Sequence, residues 1–281
     1  MTMRRPTARV NVVTVDGAAR RTRPDRIVTE EPLKIRVHGP GEAPVAVAVT
    51  LRTPGHDFEL ALGFCVAEGL LAVTSDLATV EYCLGGAGEQ EYNVVTVARR
   101  SVVGDSVRQR TFAATASCGL CGKTTIDDLV TRCDPVDRKQ SFAWDGILAA
   151  IEGLSTTQAS FATTGGLHAA ALFDASGAIV VAREDVGRHN ALDKIVGHRF
   201  LAGELPVTGH GVALSGRIGF ELVQKAAVIG AEVVAAIGAP SSLAVDTARE
   251  LGLTLIGFVR DGRANVYTHP ERLAFEVGGA E

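Results

Sequence analysis

Two cysteines separated by two residues, Cys118 and Cys121 in the run Ser117-Cys-Gly-Leu-Cys-Gly-Lys123, carry the sharpest chemical signal in the chain. Thiols at this spacing can share a metal, form a disulfide, or act as a nucleophile and its neighbour. Gly119 and Gly122 remove side-chain bulk, so an attacking partner can approach the sulfurs closely. Lys123 and the N-terminus of a helix opening at Thr124 or Thr125 both favour thiolate over thiol. A structural zinc site normally needs four ligands, and no second paired motif is present. Cys133 and His168 stand at no standard zinc spacing from the pair. A thioredoxin-like redox motif would follow an early strand and open a long helix, whereas this one lies mid-chain. Zinc and redox roles therefore stay open beside the nucleophilic one. Cys65 on the apolar side of a helix, Cys83 at a strand end and Cys133 at a helix end read as packing residues.

Three further segments each follow a strand. They are Ser215-Gly216-Arg217, Ala239-Pro240-Ser241-Ser242 and Arg260-Asp261-Gly262-Arg263. In an open α/β sheet, ligands sit beyond the carboxyl ends of the strands. Two of the three loops open a helix, whose free N–H groups attract anions, and Arg217, Arg260 and Arg263 offer bidentate contacts to phosphate. Together they suggest a nucleotide or another phosphorylated ligand. Taken singly, each loop is simply a helix cap, with Ser241 or Ser242 an ordinary choice. No Walker loop or dinucleotide fingerprint is present. The polar run Arg183–Lys194 contains His189. A histidine at a helix start is more often scaffold than acid or base, and His168 has the same ambiguity.

The elements that position these groups fall into two halves. Residues 1–25 lack periodicity and are expected to be a flexible N-terminal extension. Residues 26–135 read as a β-rich α+β domain, with strands Leu33–Val37, Val45–Leu51, Thr79–Cys83 and Tyr92–Ala98. One helix, with Asp57 as N-cap, interrupts them, and Gly85–Gly88 reads as a turn. This domain ends in the CxxC loop (117–123), expected to be mobile, and a helix over Thr125–Arg132. Pro135 and the polar run to Gln140 mark a linker. Residues 136–281 form an α/β domain. There a hairpin turning at Asp174–Gly177 is followed by alternating strands and helices, which predicts a mixed or parallel sheet flanked by helices.

Composition narrows the function classes. The 281 residues are 46% hydrophobic and 21% charged with net charge −4, and the only basic run is Arg20-Arg21-Thr22-Arg23. Nucleic acid is therefore not the expected partner. No signal peptide or membrane span is read from the sequence. Five cysteines without a secretion signal favour a reducing, cytoplasmic setting.

The ordered set of motifs resembles the FdhD/NarQ family, the formate dehydrogenase accessory sulfurtransferases. The matching pieces are Ser117–Gly122, Thr164–Ala170, Arg183–Lys194, Ala239–Val245 and Gly257–Arg263, extended by Asn265 and Tyr267. The resemblance implies a cytidine-deaminase-like C-terminal domain and a homodimer. It implies that sulfur is accepted from a cysteine desulfurase and passed to the molybdenum (or tungsten) bis-guanine-dinucleotide cofactor of formate dehydrogenase. That cofactor, Mo-bis(molybdopterin guanine dinucleotide), would be a bound substrate, with no permanently held metal. By motif position Cys118 matches the persulfide-bearing cysteine and Cys121 its companion. Phe258, Val259, Arg260, Asp261, Gly262 and Arg263 match the cofactor-binding segment, beside Ser215, Arg217, Ser241 and Ser242 from the strand-end loops. Ile218-Gly219 departs from the family pattern, where serine is more usual. Two rival readings remain. A zinc-dependent deaminase needs H-x-E or C-x-E and P-C-x-x-C elements, and both fail here. A non-catalytic cofactor-binding chaperone would need only the strand-end loops.

Overall fold

The computed structural model describes residues 5–84, 90–104, 136 and 140–275. Among them, β1 (Thr7–Asp16) and β2 (Ala19–Val28) pair antiparallel around a turn at Gly17-Ala18. The loose extension expected over residues 1–25 is thus corrected to a hairpin. Its signals are the valines and Thr14 of Val10–Val15 and Gly17, the first of the two turn residues, which accepts a φ of 55°.

A four-stranded sheet of order β4-β3-β6-β5 follows, from β3 (Glu31–His38), β4 (Val45–Arg52), β5 (Leu77–Leu84) and β6 (Gln90–Arg99). Alternation in β3 buries Leu33, Ile35 and Val37 against α1 (Asp57–Ala67). Nine of the eleven residues of α1 are buried, as expected for a helix that is apolar all round. Asp57 is not its N-cap. His56 holds that place in a left-handed conformation, and Asp57 is the first helical residue. Its carboxylate accepts from Arg52 Nε and Nη2 at 3.0 and 2.8 Å.

After β7 (Phe142–Ala143), the helices α2 (Trp144–Thr157) and α3 (Ala159–Thr164) lead into the larger sheet. Its strands are β8 (His168–Asp174), β9 (Ile179–Asp185), β10 (His210–Leu214), β11 (Val233–Ala236), β12 (Thr254–Arg260) and β13 (Arg263–Thr268). The order is β13-β12-β11-β10-β8-β9. Strands β10, β11 and β12 run parallel, and the other pairings are antiparallel. Between these strands lie α4 (Arg188–Ala202), α5 (Phe220–Val228) and α6 (Ser242–Glu250), and β14 (Leu273–Ala274) pairs with β7. One face of the sheet joins the core of α1, α4 and α5. The other face packs on Ile147, Ala150, Ile151 and Leu154 of α2. The expected mixed sheet flanked by helices is therefore present.

The two halves share one apolar core, which runs from Leu33 and Phe64 through Leu192 to Leu255. At the crossing of α1 and α4 the backbones touch. A Cβ on Gly63 would lie 1.8 Å from the Asp193 carbonyl oxygen, and one on Gly197 the same distance from that of Glu59. We propose that the chain divides at residues 135 and 136, as two modules pressed together along this crossing. The helix expected over Thr125–Arg132 and the turn at Gly85–Gly88 lie outside the described residues.

Candidate functional site

Strands β10, β11 and β12 end side by side, so their three following loops form one ledge. The loops interlock through backbone. Ile218 N donates to Ala239 O at 3.0 Å, Ser241 N to Ile218 O at 3.0 Å, and Phe258 N to Gly238 O at 3.2 Å. The approach is close enough to need glycine, since a Cβ on Gly238 would lie 2.6 Å from Gly216 O.

The ledge sorts the expected ligand-binding residues into two groups. Arg217, Ser242, Phe258, Arg260, Asp261, Gly262 and Arg263 are exposed and available to a ligand. Phe258 is 51% exposed and has a φ of 56°, an uncommon backbone state for a bulky residue. Three exposed guanidinium groups and an exposed ring give the chemistry to pair anions and to stack on a planar base. The other residues serve the scaffold. Ser215 Oγ accepts from Ala169 N at 2.8 Å, and Ser241 Oγ caps α6 by accepting from Ala244 N at 3.2 Å. Val259 is 4% exposed and packs in the core under the ledge, so its side chain is not offered to a ligand. The segment Arg260–Arg263 opens no helix. Asp261 and Gly262, with φ of 52° and 72°, turn β12 into the antiparallel β13.

The polar run after β9 is mostly scaffold. Asp185 and Lys194 are buried and 2.7 Å apart. Asp185 also accepts from Thr53 N, Gly187 N and Asn190 Nδ2, while Lys194 donates to the carbonyls of Thr53 and Glu184. Arg183 grips Glu59 of α1 with Nε and Nη2 at 2.6 and 2.7 Å. Burial pushes the Glu59 carboxyl up, but hydrogen bonds and positive charge from Arg183 and His56 outweigh it and hold it at about 2. These contacts join β4 and α1 to the larger sheet.

His168 and His189 lie at the edge of the ledge. A Cβ on Gly216 would be 3.2 Å from His168 Nδ1. Burial, then Lys225, Arg188 and His168, lower His189 to about 3. The 3.4 Å approach of its Nε2 to Glu221 is therefore a contact of a neutral imidazole at pH 7, not an ion pair. Burial and Arg188 lower His168 as well.

Cys65 is fully buried and its thiol is pushed well up by burial, which makes it a poor nucleophile. Cys83 is half-buried on β5, with its sulfur against Arg36 and Thr96. Cys118, Cys121 and Cys133 lie outside the described residues. Among the described residues no group of three or more His, Cys, Asp or Glu side chains is arranged to hold a metal, and no helix is long and apolar enough to cross a membrane.

Fold and motifs together define a class, an α/β protein with a strand-end ledge whose paired cysteines fall in sequence between the strands of its four-stranded sheet and those of its six-stranded sheet. The chain belongs to the FdhD/NarQ family, whose model matches residues 28–274. The sulfur carrier protein FdhD of Streptomyces avermitilis is 45% identical to it, covering 99% of this chain and 100% of that one. Its counterpart in Mycobacterium tuberculosis is 46% identical over 90% and 93% of the two chains. The crystal structure of a Desulfotalea psychrophila chain, assigned as a formate dehydrogenase accessory protein, superposes with a TM-score of 0.76 at 21% identity. It covers 96% of this chain and 100% of that one, and so shares the fold.

Proposed function

We propose that this chain is a cytoplasmic sulfur carrier serving formate dehydrogenase, a sulfurtransferase that works through a cysteine persulfide. The observation that carries the reading is its similarity, over nearly its whole length, to proteins named as sulfur carriers. The buried, thiolate-averse Cys65 supports assigning the chemistry to the CxxC pair.

In the first step the Cys118 thiolate attacks the terminal sulfur of a persulfide on a cysteine desulfurase. A Cys118–sulfur bond forms, the donor's sulfur–sulfur bond breaks, and the donor cysteine leaves as thiolate. Until its release the sulfur is covalent cargo and is not free in solution. In the second step Cys121 attacks the inner sulfur, closing a Cys118–Cys121 disulfide and releasing hydrosulfide to the acceptor. The dithiol supplies the two electrons, and an external thiol reductant restores it. The acceptor is Mo-bis(molybdopterin guanine dinucleotide), held as substrate before its insertion into apo-formate dehydrogenase. Arg217, Arg260 and Arg263 pair its phosphates and Phe258 stacks on a guanine. His168 and His189 stay neutral beside the ledge and add no charge to it. The protein acts as a homodimer.

The Cys118→Ala variant tests the reading in a strain lacking the native gene. Formate dehydrogenase should stay inactive although the variant accumulates as folded protein, and full activity would refute the assignment. A purely chaperoning protein would tolerate that substitution and fail only when the ledge is altered.

A further inference from the structure

We propose that Arg188, the first residue of α4, is a phosphate-binding residue set behind the first loop of the ledge. It rests on the reading of the ledge as a nucleotide site, to which it adds the side chain that grips the ligand's diphosphate. Arg188 is half-buried. Its guanidinium makes no hydrogen bond or ion pair among the described residues, and its Nε is enclosed without a partner. A partly buried cation in that state costs stability unless something pairs it. Its place in the helix adds to the cost. The N-terminus is the positive end of the helix dipole, and α4 has no acidic residue in its first turn and no side-chain cap at Gly187. The nearby carboxylates are engaged elsewhere, Asp185 with Lys194 and Glu221 against His189. Folding alone gives no reason for an arginine here, whereas an anionic ligand does.

The surroundings indicate which anion. A Cβ on Gly216 would lie 3.9 Å from Arg188 Cδ and 3.2 Å from His168 Nδ1, so the bare loop, the guanidinium and the imidazole are neighbours. Gly216 O in turn lies against Gly238, whose carbonyl accepts from Phe258 N. Arg188 therefore borders the same interlocked loops that present the exposed Phe258 ring and Arg217. Burial and then Arg188 lower His168, and a neutral imidazole keeps one ring N–H to donate. Guanidinium forks, a neutral N–H donor and the positive end of a helix suit a multiply charged oxyanion better than a single carboxylate. A diphosphate carried by a base on Phe258 supplies that charge beside Arg188.

Calorimetry on the full-length chain with inorganic pyrophosphate and with guanosine diphosphate tests this, comparing the parent with Arg188→Met and Arg188→Lys. Methionine keeps an apolar stem and removes the charge, and lysine keeps the charge without the planar fork. Arg188→Met should bind both probes at least about 10-fold more weakly, and Arg188→Lys should also lose affinity. Without ligand, Arg188→Met should melt no lower than the parent, because an unpaired cation is gone. A marked fall in its melting temperature would make Arg188 structural and overturn the proposal. Guanosine diphosphate affinity unchanged in Arg188→Met would also overturn it, while leaving the ledge as a nucleotide site. Pyrophosphate binding through Arg188 with no binding of guanosine diphosphate would support the phosphate contact and overturn the nucleotide reading of the ledge. A parent that binds neither probe would overturn both.

Discussion

Lys194 Nζ lies 2.7 Å from the Asp185 carboxylate, and both side chains are buried where the end of β4 meets the start of α4. The pair belongs to the polar run Arg183–Lys194 and ties the larger sheet and α4 to the end of β4, since Asp185 holds Thr53 N and Lys194 holds Thr53 O. Removing one partner strands a buried charge. Lys194→Met should cost about 3–5 kcal/mol in urea unfolding. A loss below about 1 kcal/mol would mean that the pair is not the tie described.

The helix crossing leaves no room at Gly197, whose Cβ would sit 1.8 Å from the Glu59 carbonyl oxygen. The obstacle is backbone and cannot rotate away. Gly197→Val should destabilise by about 3 kcal/mol or more, or fail to fold. A variant as stable as the parent would show that α1 and α4 are packed differently.

Acid should weaken the fold in two windows. His189 falls from its ordinary 6.5 to about 3 in the folded chain, so between those values the unfolded chain binds the extra proton. Stability from this group is complete above pH 6.5 and should fall by about 2–3 kcal/mol by pH 4.5. Glu59, lowered from 4.5 to about 2, adds stability that is present above pH 4.5 and lost as pH falls towards 2. Melting temperatures from pH 7 to 4.5 should decline less steeply in His189→Gln. Parallel curves would contradict the assignment of the upper window to His189.

The ledge should bind guanine nucleotide through its exposed groups. Phe258→Ala and Arg260→Ala should each weaken guanosine diphosphate binding about 10-fold or more in calorimetry. Ser215→Ala, which removes a scaffold hydroxyl, should act on stability before affinity. Equal affinity in the Phe258 and Arg260 variants would remove the ledge from the account.

Much of this architecture is legible from the chain. Strong alternation in β3 and the β8–β9 hairpin, and strand–helix alternation after residue 210, point to a mixed sheet with neighbouring loops. What escapes has physical causes. The charged, exposed strands of the β1–β2 hairpin bury no face, so apolar periodicity does not reveal them. Helix α2 does carry a stripe, Ile147, Ala150, Ile151 and Leu154, but it follows directly on a polar stretch that reads as a linker. The scaffold role of Arg183 and Lys194 depends on partners more than a hundred residues away, at Glu59 and Thr53. Local sequence marks such residues as polar and dense but cannot say what they hold.

The most direct measurement is mass spectrometry of the protein after incubation with a cysteine desulfurase and cysteine. One added sulfur should appear on the peptide containing Cys118, disappear on treatment with dithiothreitol, and be absent from Cys118→Ala. An unmodified Cys118 peptide, or an adduct found on Cys83 instead, would contradict the account.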